Sequence, residues 1–162
     1  MSELKCACYN KITPVFDEKT PTYCTLPYPG HPKGCPMFGT RKECPPEAPH
    51  LRDFLDLTYP VIALVCSFDL AGHMRRMKEA HPHWTERQQR NPLYWQNGVR
   101  KRLTENCMAL CQGDQDYVYT LIPEAMRVNV VETMARVGVQ IIFPATDVVH
   151  KIAFVGRKKG GE

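Results

Sequence analysis

The sequence predicts an α+β domain: a mixed sheet of about four strands flanked by helices, with a cysteine-rich loop region on its N-terminal side. Three observations carry that expectation. Residues 61–68 read Val-Ile-Ala-Leu-Val-Cys-Ser-Phe, an apolar and β-branched run introduced by Tyr59-Pro60, which is the pattern of a buried central strand. Helix-start signals, Asp69 ahead of Leu70 and Asn91 ahead of Pro92, alternate with further strand-like runs. Before all of these, Gly34-Cys35-Pro36-Met37-Phe38-Gly39 and Glu43-Cys44-Pro45-Pro46 crowd glycine and proline around two thiols. Proline removes a backbone donor and fixes φ while glycine frees it, so this stretch is a stiffened loop that holds sulfur.

In chain order, residues 1–29 carry Cys6, Cys8 and Cys24 among prolines and polar residues without sustained periodicity, and read as an irregular arm. Residues 30–156 form the domain proper and 157–162 a frayed basic tail. Pro27 to Pro32 is a turn-rich lead into the Cys35 loop. A short helix is expected over 47–55, with Leu51, Phe54 and Leu55 on one face, and another over 70–79 behind the Asp69 cap. His81-Pro82-His83 reads as an inter-helix loop, with metal ligation the less economical alternative. A turn of helix is expected near Thr85, then a long helix from Asn91-Pro92 to Cys111, stopped by Gln112-Gly113. Strands are expected over 116–122, 139–143 and 148–155, with a helix between Asn129 and Gly138.

At 162 residues the chain can bury a core unaided, so its eight cysteines are not needed as staples. No signal-like apolar run opens the chain and none is long enough to cross a bilayer, so the expected location is the cytoplasm, with no membrane partner. In a reducing compartment, thiols in such number point to metal or catalysis rather than structural disulfides. The formal charge of +4 permits a polyanionic partner without requiring one. There is no phosphate loop and no nucleophile elbow, and Asp53, Asp56, Glu124 and Glu132 are scattered as on a solvated surface, which argues against ordinary hydrolase or kinase chemistry.

The thiols divide by position. Cys35 and Cys44 are nine residues apart in the loop, and Cys107 and Cys111, four apart, share one helix face. Two such pairs supply the four thiolates of a structural zinc or an iron–sulfur cluster. Cys24, leading into the loop, is a further metal candidate. Cys6-Ala7-Cys8 is a weak chelate, and Cys66, inside the apolar run, reads as a small buried hydrophobe.

The order Cys35-Pro36-Met37-Phe38-Gly39, Cys44-Pro45-Pro46, helix, apolar strand resembles a widespread microbial family of predicted metal-binding proteins of unknown function, with a C-P-x-[FY]-G and C-P-P signature. Residues 123–130, Thr133, Gly138 and Phe143-Pro144 are similar to that family's E-A-x-G-[IV]-D-V stretch, glycine-ended helix and F-P strand end, so the likeness covers roughly residues 30–156. The resemblance implies a cysteine-bound metal, iron–sulfur by preference, with Cys35, Cys44, Cys107 and Cys111 as ligands. The chain departs from the pattern in having Arg127 for a glycine and no cysteine beyond Cys111.

Neither thiol pair has the Cys-x2-Cys knuckle usual for zinc, whereas a cubane tolerates wide, uneven spacing, which favours [4Fe-4S] over zinc. Pro36, Pro45, Met37 and Phe38 are expected to form a dry collar around it. The functional expectation is electron transfer, or sulfur and redox chemistry at an open iron, with an unidentified redox partner or small-molecule substrate. The alternative is a structural zinc domain that acts as an interaction or nucleic-acid-binding module. Arg75, Arg76, Lys78, Arg87, Arg90, Arg100, Lys101 and Arg102 with Trp84, Tyr94 and Trp95 would serve that alternative, although solvated helix faces and core aromatics explain them more simply.

Overall fold

The computed structural model describes residues 3–28 and 30–160. Met1, Ser2 and Pro29, and Gly161 and Glu162 of the basic tail, lie outside the described residues. Four strands, β1 (Leu4–Ile12), β2 (Val61–Asp69), β3 (Tyr117–Thr120) and β4 (Val148–Arg157), form one sheet in the order β1-β2-β4-β3. The helices are α1 (Leu51–Phe54), α2 (Leu70–Ala80), α3 (Glu86–Gln89), α4 (Gln96–Cys111) and α5 (Val130–Ala135), so the class is α+β as expected. Every ladder is antiparallel, which corrects the expectation of a mixed sheet.

The central pair β2 and β4 is buried on both faces, which is why residues 61–66 show no polar alternation. On one face Ala63 and Val65 of β2 and Ile152 and Phe154 of β4 meet Leu51, Leu55, Val128 and Met134. On the other, Leu64, Cys66, Ala153 and Val155 meet Val99, Leu103 and Cys107, a stripe four residues apart along α4. The caps follow the sequence: the Asp69 carboxylate accepts from the Gly72 amide at 2.8 Å, and Asn129 Oδ1 accepts from the Glu132 amide at 3.0 Å.

The structure departs from expectation at four places. Residues 4–12 are an edge strand rather than an irregular arm, held by the ladder to β2 from Leu4↔Phe68 to Ile12↔Val61. Its side chains are mostly exposed, so backbone pairing and not apolar patterning makes it a strand. Residues 139–143 make no ladder. Val139 packs into the core while Ile142 and Phe143 are 58 % and 78 % exposed. The Asn91-Pro92 signal opens only the 3-10 turn Pro92–Tyr94, and α4 starts at Gln96. Between them Trp95 takes φ −136°, its ring stacked on Phe68 at 4.8 Å and its Nε1–H donated to the Arg90 carbonyl at 3.3 Å. Finally, the start of the tail is tied down: Arg157 ends β4, and the Lys158 and Lys159 amides donate to the carbonyls of Asp116 and Phe54.

A disulfide joins Cys6 of β1 to Cys66 of β2, which face each other in the ladder. Cys66 is therefore half of a cross-strand link rather than a free buried thiol. Cys8 is exposed, its Sγ 3.3 Å from Asn10 Oδ1.

A cleft beside the Cys35 loop as candidate functional site

The cysteine loop is built by backbone hydrogen bonds, as its content of glycine and proline requires. The 3-10 turn Thr20–Thr25 places Cys24, and the Cys35 amide donates to the Cys24 carbonyl at 2.7 Å. The Gly39 amide donates to the Pro45 carbonyl at 2.7 Å, closing the loop across its base, and the Cys44 carbonyl accepts from Ala48 at 3.0 Å. The loop rests on the sheet side through Thr20, whose hydroxyl donates to the Glu124 carbonyl at 2.8 Å.

Gly34 makes the Cys24–Cys35 junction feasible. Its φ is +84°, and a Cβ there would meet the Cys24 carbonyl oxygen at 2.5 Å and the Thr25 carbonyl carbon at 2.7 Å. Gly34→Ala is therefore expected to destabilise the protein by at least ~1–2 kcal/mol, the left-handed penalty alone. A urea titration reads this, and a midpoint equal to that of the parent would show that the two loop segments do not need their close approach.

Cys24, Cys35 and Cys44 are each partly exposed. Burial raises the Cys24 thiol pKa, and neighbouring Cys35 and Cys44, then Glu124, raise it further, so Cys24 lies within electrostatic reach of both loop cysteines. Tyr28 is raised by desolvation and by Cys35. Among the described residues, no three His, Cys, Asp or Glu side chains are grouped closely enough to hold a metal ion as they stand. Met37 and Phe38 are 37 % and 38 % exposed, so they do not form the expected dry collar.

Beside this loop opens a cleft of about 900 Å³, into which Cys35 and Cys44 face together with Met37, Arg41 and Glu43. The first half of α4 contributes Gln96, Arg100 and Leu103, and the end of β3 and the following turn contribute Leu121, Ile122 and Met126. The loop thus shares its cleft with the first half of α4, whereas a ligand set that included Cys107 and Cys111 would place it at the end of that helix. Cys107 and Cys111 lie about 6 and 12 Å beyond Leu103 along the helix axis, at 1.5 Å per residue. Cys107 is fully buried, and burial, with a smaller effect of Cys111, pushes its thiol up to about 12. Cys111 is partly exposed and packs at the margin of the same core, its pKa raised by burial.

The cleft also holds a cation that the sequence pattern does not single out. Lys151 lines it, and burial lowers its pKa, with Glu124 opposing and Arg100 reinforcing the shift. Glu124 keeps solvent access as a residue, yet the protein packed around its carboxyl raises its pKa by desolvation, which its own backbone amide and Lys151 only partly offset. The available signal was Lys151 itself, a lysine inside the apolar run of residues 148–155. Nothing in the sequence pairs it with Glu124.

His81 stacks on Trp84 at 4.0 Å, in keeping with a loop residue. Of the basic middle region, Arg76 pairs with Glu3, and Arg90 with Glu86 and the Ala145 carbonyl, while Trp95 is committed to Phe68. Under α2, His73 is buried against Phe68, and its Nε2 has no hydrogen-bond partner among the described residues. Desolvation lowers its pKa from 6.5. Arg76 adds to that, while Glu3 and the Gln89 backbone oppose it. Because the unfolded chain protonates first, stability is fully present above pH 6.5 and falls as pH drops from there toward the folded-state value. His73→Leu is expected to flatten that fall, measured as urea midpoint against pH. His150, lowered by burial in the same sense, keeps a residual slope. An unchanged profile would place the acid sensitivity elsewhere.

No helix among the described residues is long and apolar enough to cross a membrane. Comparison of the chain with known protein families, with curated proteins and with solved structures finds no match.

Proposed function

We propose that this is a cysteine-ligated iron–sulfur protein, with Cys24, Cys35 and Cys44 as thiolate ligands of a [4Fe-4S] cluster that serves redox or sulfur chemistry on a molecule held in the adjoining cleft. The observation that carries this reading is the tie between the Cys24 turn and the Cys35 loop, through the Cys35 amide to the Cys24 carbonyl, with Cys35 and Cys44 lining the cleft. The donor set suits the group. Zinc bonds sulfur at about 2.3 Å, which brings tetrahedral thiolates within roughly 3.8 Å of each other, whereas a cubane accepts more widely set sulfurs.

Cys24, Cys35 and Cys44 would hold the cluster, which when bound would supply one-electron or Lewis-acid chemistry. The chain's own part is to position and enclose. The loop amides present the sulfurs, Met37 lines the cleft beside them, and Lys151 and Glu124 stand nearby as proton-exchanging groups with opposed pKa shifts. In this reading Cys107 and Cys111 serve the core of α4. The test is iron, zinc and acid-labile sulfide content with a visible spectrum on anaerobically purified protein. Three to four irons with matching sulfide, about the stoichiometry of a cubane, and broad visible absorption support the reading. One zinc and no colour would overturn it in favour of a structural site.

A further inference from the structure

The cleft has a chemistry of its own beyond the thiols. Arg41, Arg100 and Lys151 face it, against one lining carboxylate, Glu43, and the nearby Glu124. Arginines 76, 90, 127, 136 and 157 each have a carboxylate within 4 Å, but the Arg41 and Arg100 guanidinium groups have none among the described residues. Lys151 has Glu124 within electrostatic reach but makes no ion pair at that distance among the described residues. Cations left unneutralised beside low-dielectric walls focus their field into the space they share.

The remaining walls are apolar: Leu103 from α4, Leu121 and Ile122 after β3, and Met126. At about 900 Å³ the cleft lies within the range of ligand sites, roughly 300–1,000 Å³. Lys151 comes from β4 in the middle of the sheet, where its ladder partner is Cys66, and Arg100 comes from one turn of α4 before Leu103. Two rigid elements therefore present the charges and the apolar wall together.

We propose that the cleft binds a small amphipathic anion, an acid group such as a carboxylate or sulfonate on an apolar body, with Arg100 and Lys151 holding the acid group and Leu103, Leu121, Ile122 and Met126 the body. This deepens the iron–sulfur reading by naming the class of molecule brought to Cys35 and Cys44. It rests on that reading only for the chemistry that follows binding, since neither Arg100 nor Lys151 is a proposed ligand of the cluster.

The experiment compares two probes with closely related bodies, the anion 8-anilinonaphthalene-1-sulfonate and the neutral N-phenyl-1-naphthylamine, by fluorescence titration of the full chain. The parent is expected to bind one sulfonate per chain, and Arg100→Gln and Lys151→Met each to weaken it about tenfold, the scale of a lost charge-assisted hydrogen bond, with the neutral probe unchanged. Arg100→Lys restores most of the affinity. Arg136→Gln, whose side chain pairs with Glu132, leaves it unaltered. Far-UV circular dichroism and thermal midpoints confirm that each variant is folded before its titration is read.

Equal affinity of the parent for the two probes, or sulfonate binding unaffected by Arg100→Gln and Lys151→Met, overturns the proposal. Iron content on the same samples separates the two ideas. Iron retained with no charge-dependent binding sinks the anion site alone, and charge-dependent binding without iron sinks the cluster alone.

Discussion

Anaerobically purified Cys35→Ala and Cys44→Ala proteins are expected to lose their iron and sulfide almost completely, to below about a tenth of the parent, because a cubane left with too few thiolates is not retained. Cys24→Ala is expected to behave the same way, since its thiol shares the electrostatic environment of the other two. Cys66→Ala and Cys107→Ala are the informative contrasts. The first cuts the Cys6–Cys66 link and the second removes a fully buried sulfur from the α4 core, so both should lose stability and keep their iron. Metal analysis paired with thermal unfolding reads the two effects separately. Iron lost from Cys107→Ala as completely as from Cys35→Ala would return the ligand set to the two-pair arrangement that the sequence alone suggests.

Phe154→Ala is expected to be the most destabilising single core change, by about 3–5 kcal/mol, the usual cost of truncating a buried aromatic side chain. Phe154 is fully buried in β4, pairs across the ladder with Ala63 on one side and Thr120 on the other, and belongs to the core cluster with Leu51, Leu55 and Met134. At roughly 2–4 °C per kcal/mol for a chain of this size, the melting point should fall by about 6–20 °C. Phe143→Ala provides the comparison. That ring is 78 % exposed in a segment without a ladder, so its removal should change stability by no more than about 0.5 kcal/mol. A large effect at Phe143 would mean that residues 139–143 are paired after all.

These contrasts show where local pattern is informative. Side-chain patterns reported burial where it is continuous: the 61–66 run is the doubly covered central strand. The caps at Asp69 and Asn129 were legible because a capping bond spans only three residues. Patterns misled where burial and backbone pairing separate. Residues 139–143 are apolar because Val139 and Ile141 pack on the core, not because they enter a ladder. In β1, pairing supplies what Cys6-Ala7-Cys8 cannot announce. The Asn91-Pro92 start signal is real, but the stacking of Trp95 on Phe68 interrupts the helix it would have opened.

The sequence by itself determined the α+β class, the central strand, the capped helices and a stiff loop carrying Cys35 and Cys44, because each depends on burial or on contacts a few residues apart. Only the tertiary structure decided that Cys24 stands beside that loop's thiols, that Cys6 and Cys66 are linked, that Cys107 belongs to the core, and that Lys151 and Arg100 line one cleft with Glu124 near Lys151. Those outcomes depend on strand register and on how a loop and a helix meet across the sheet. Such long-range geometry leaves no periodic trace in the chain, since a lysine or a thiol reads the same whether its partner is near or far.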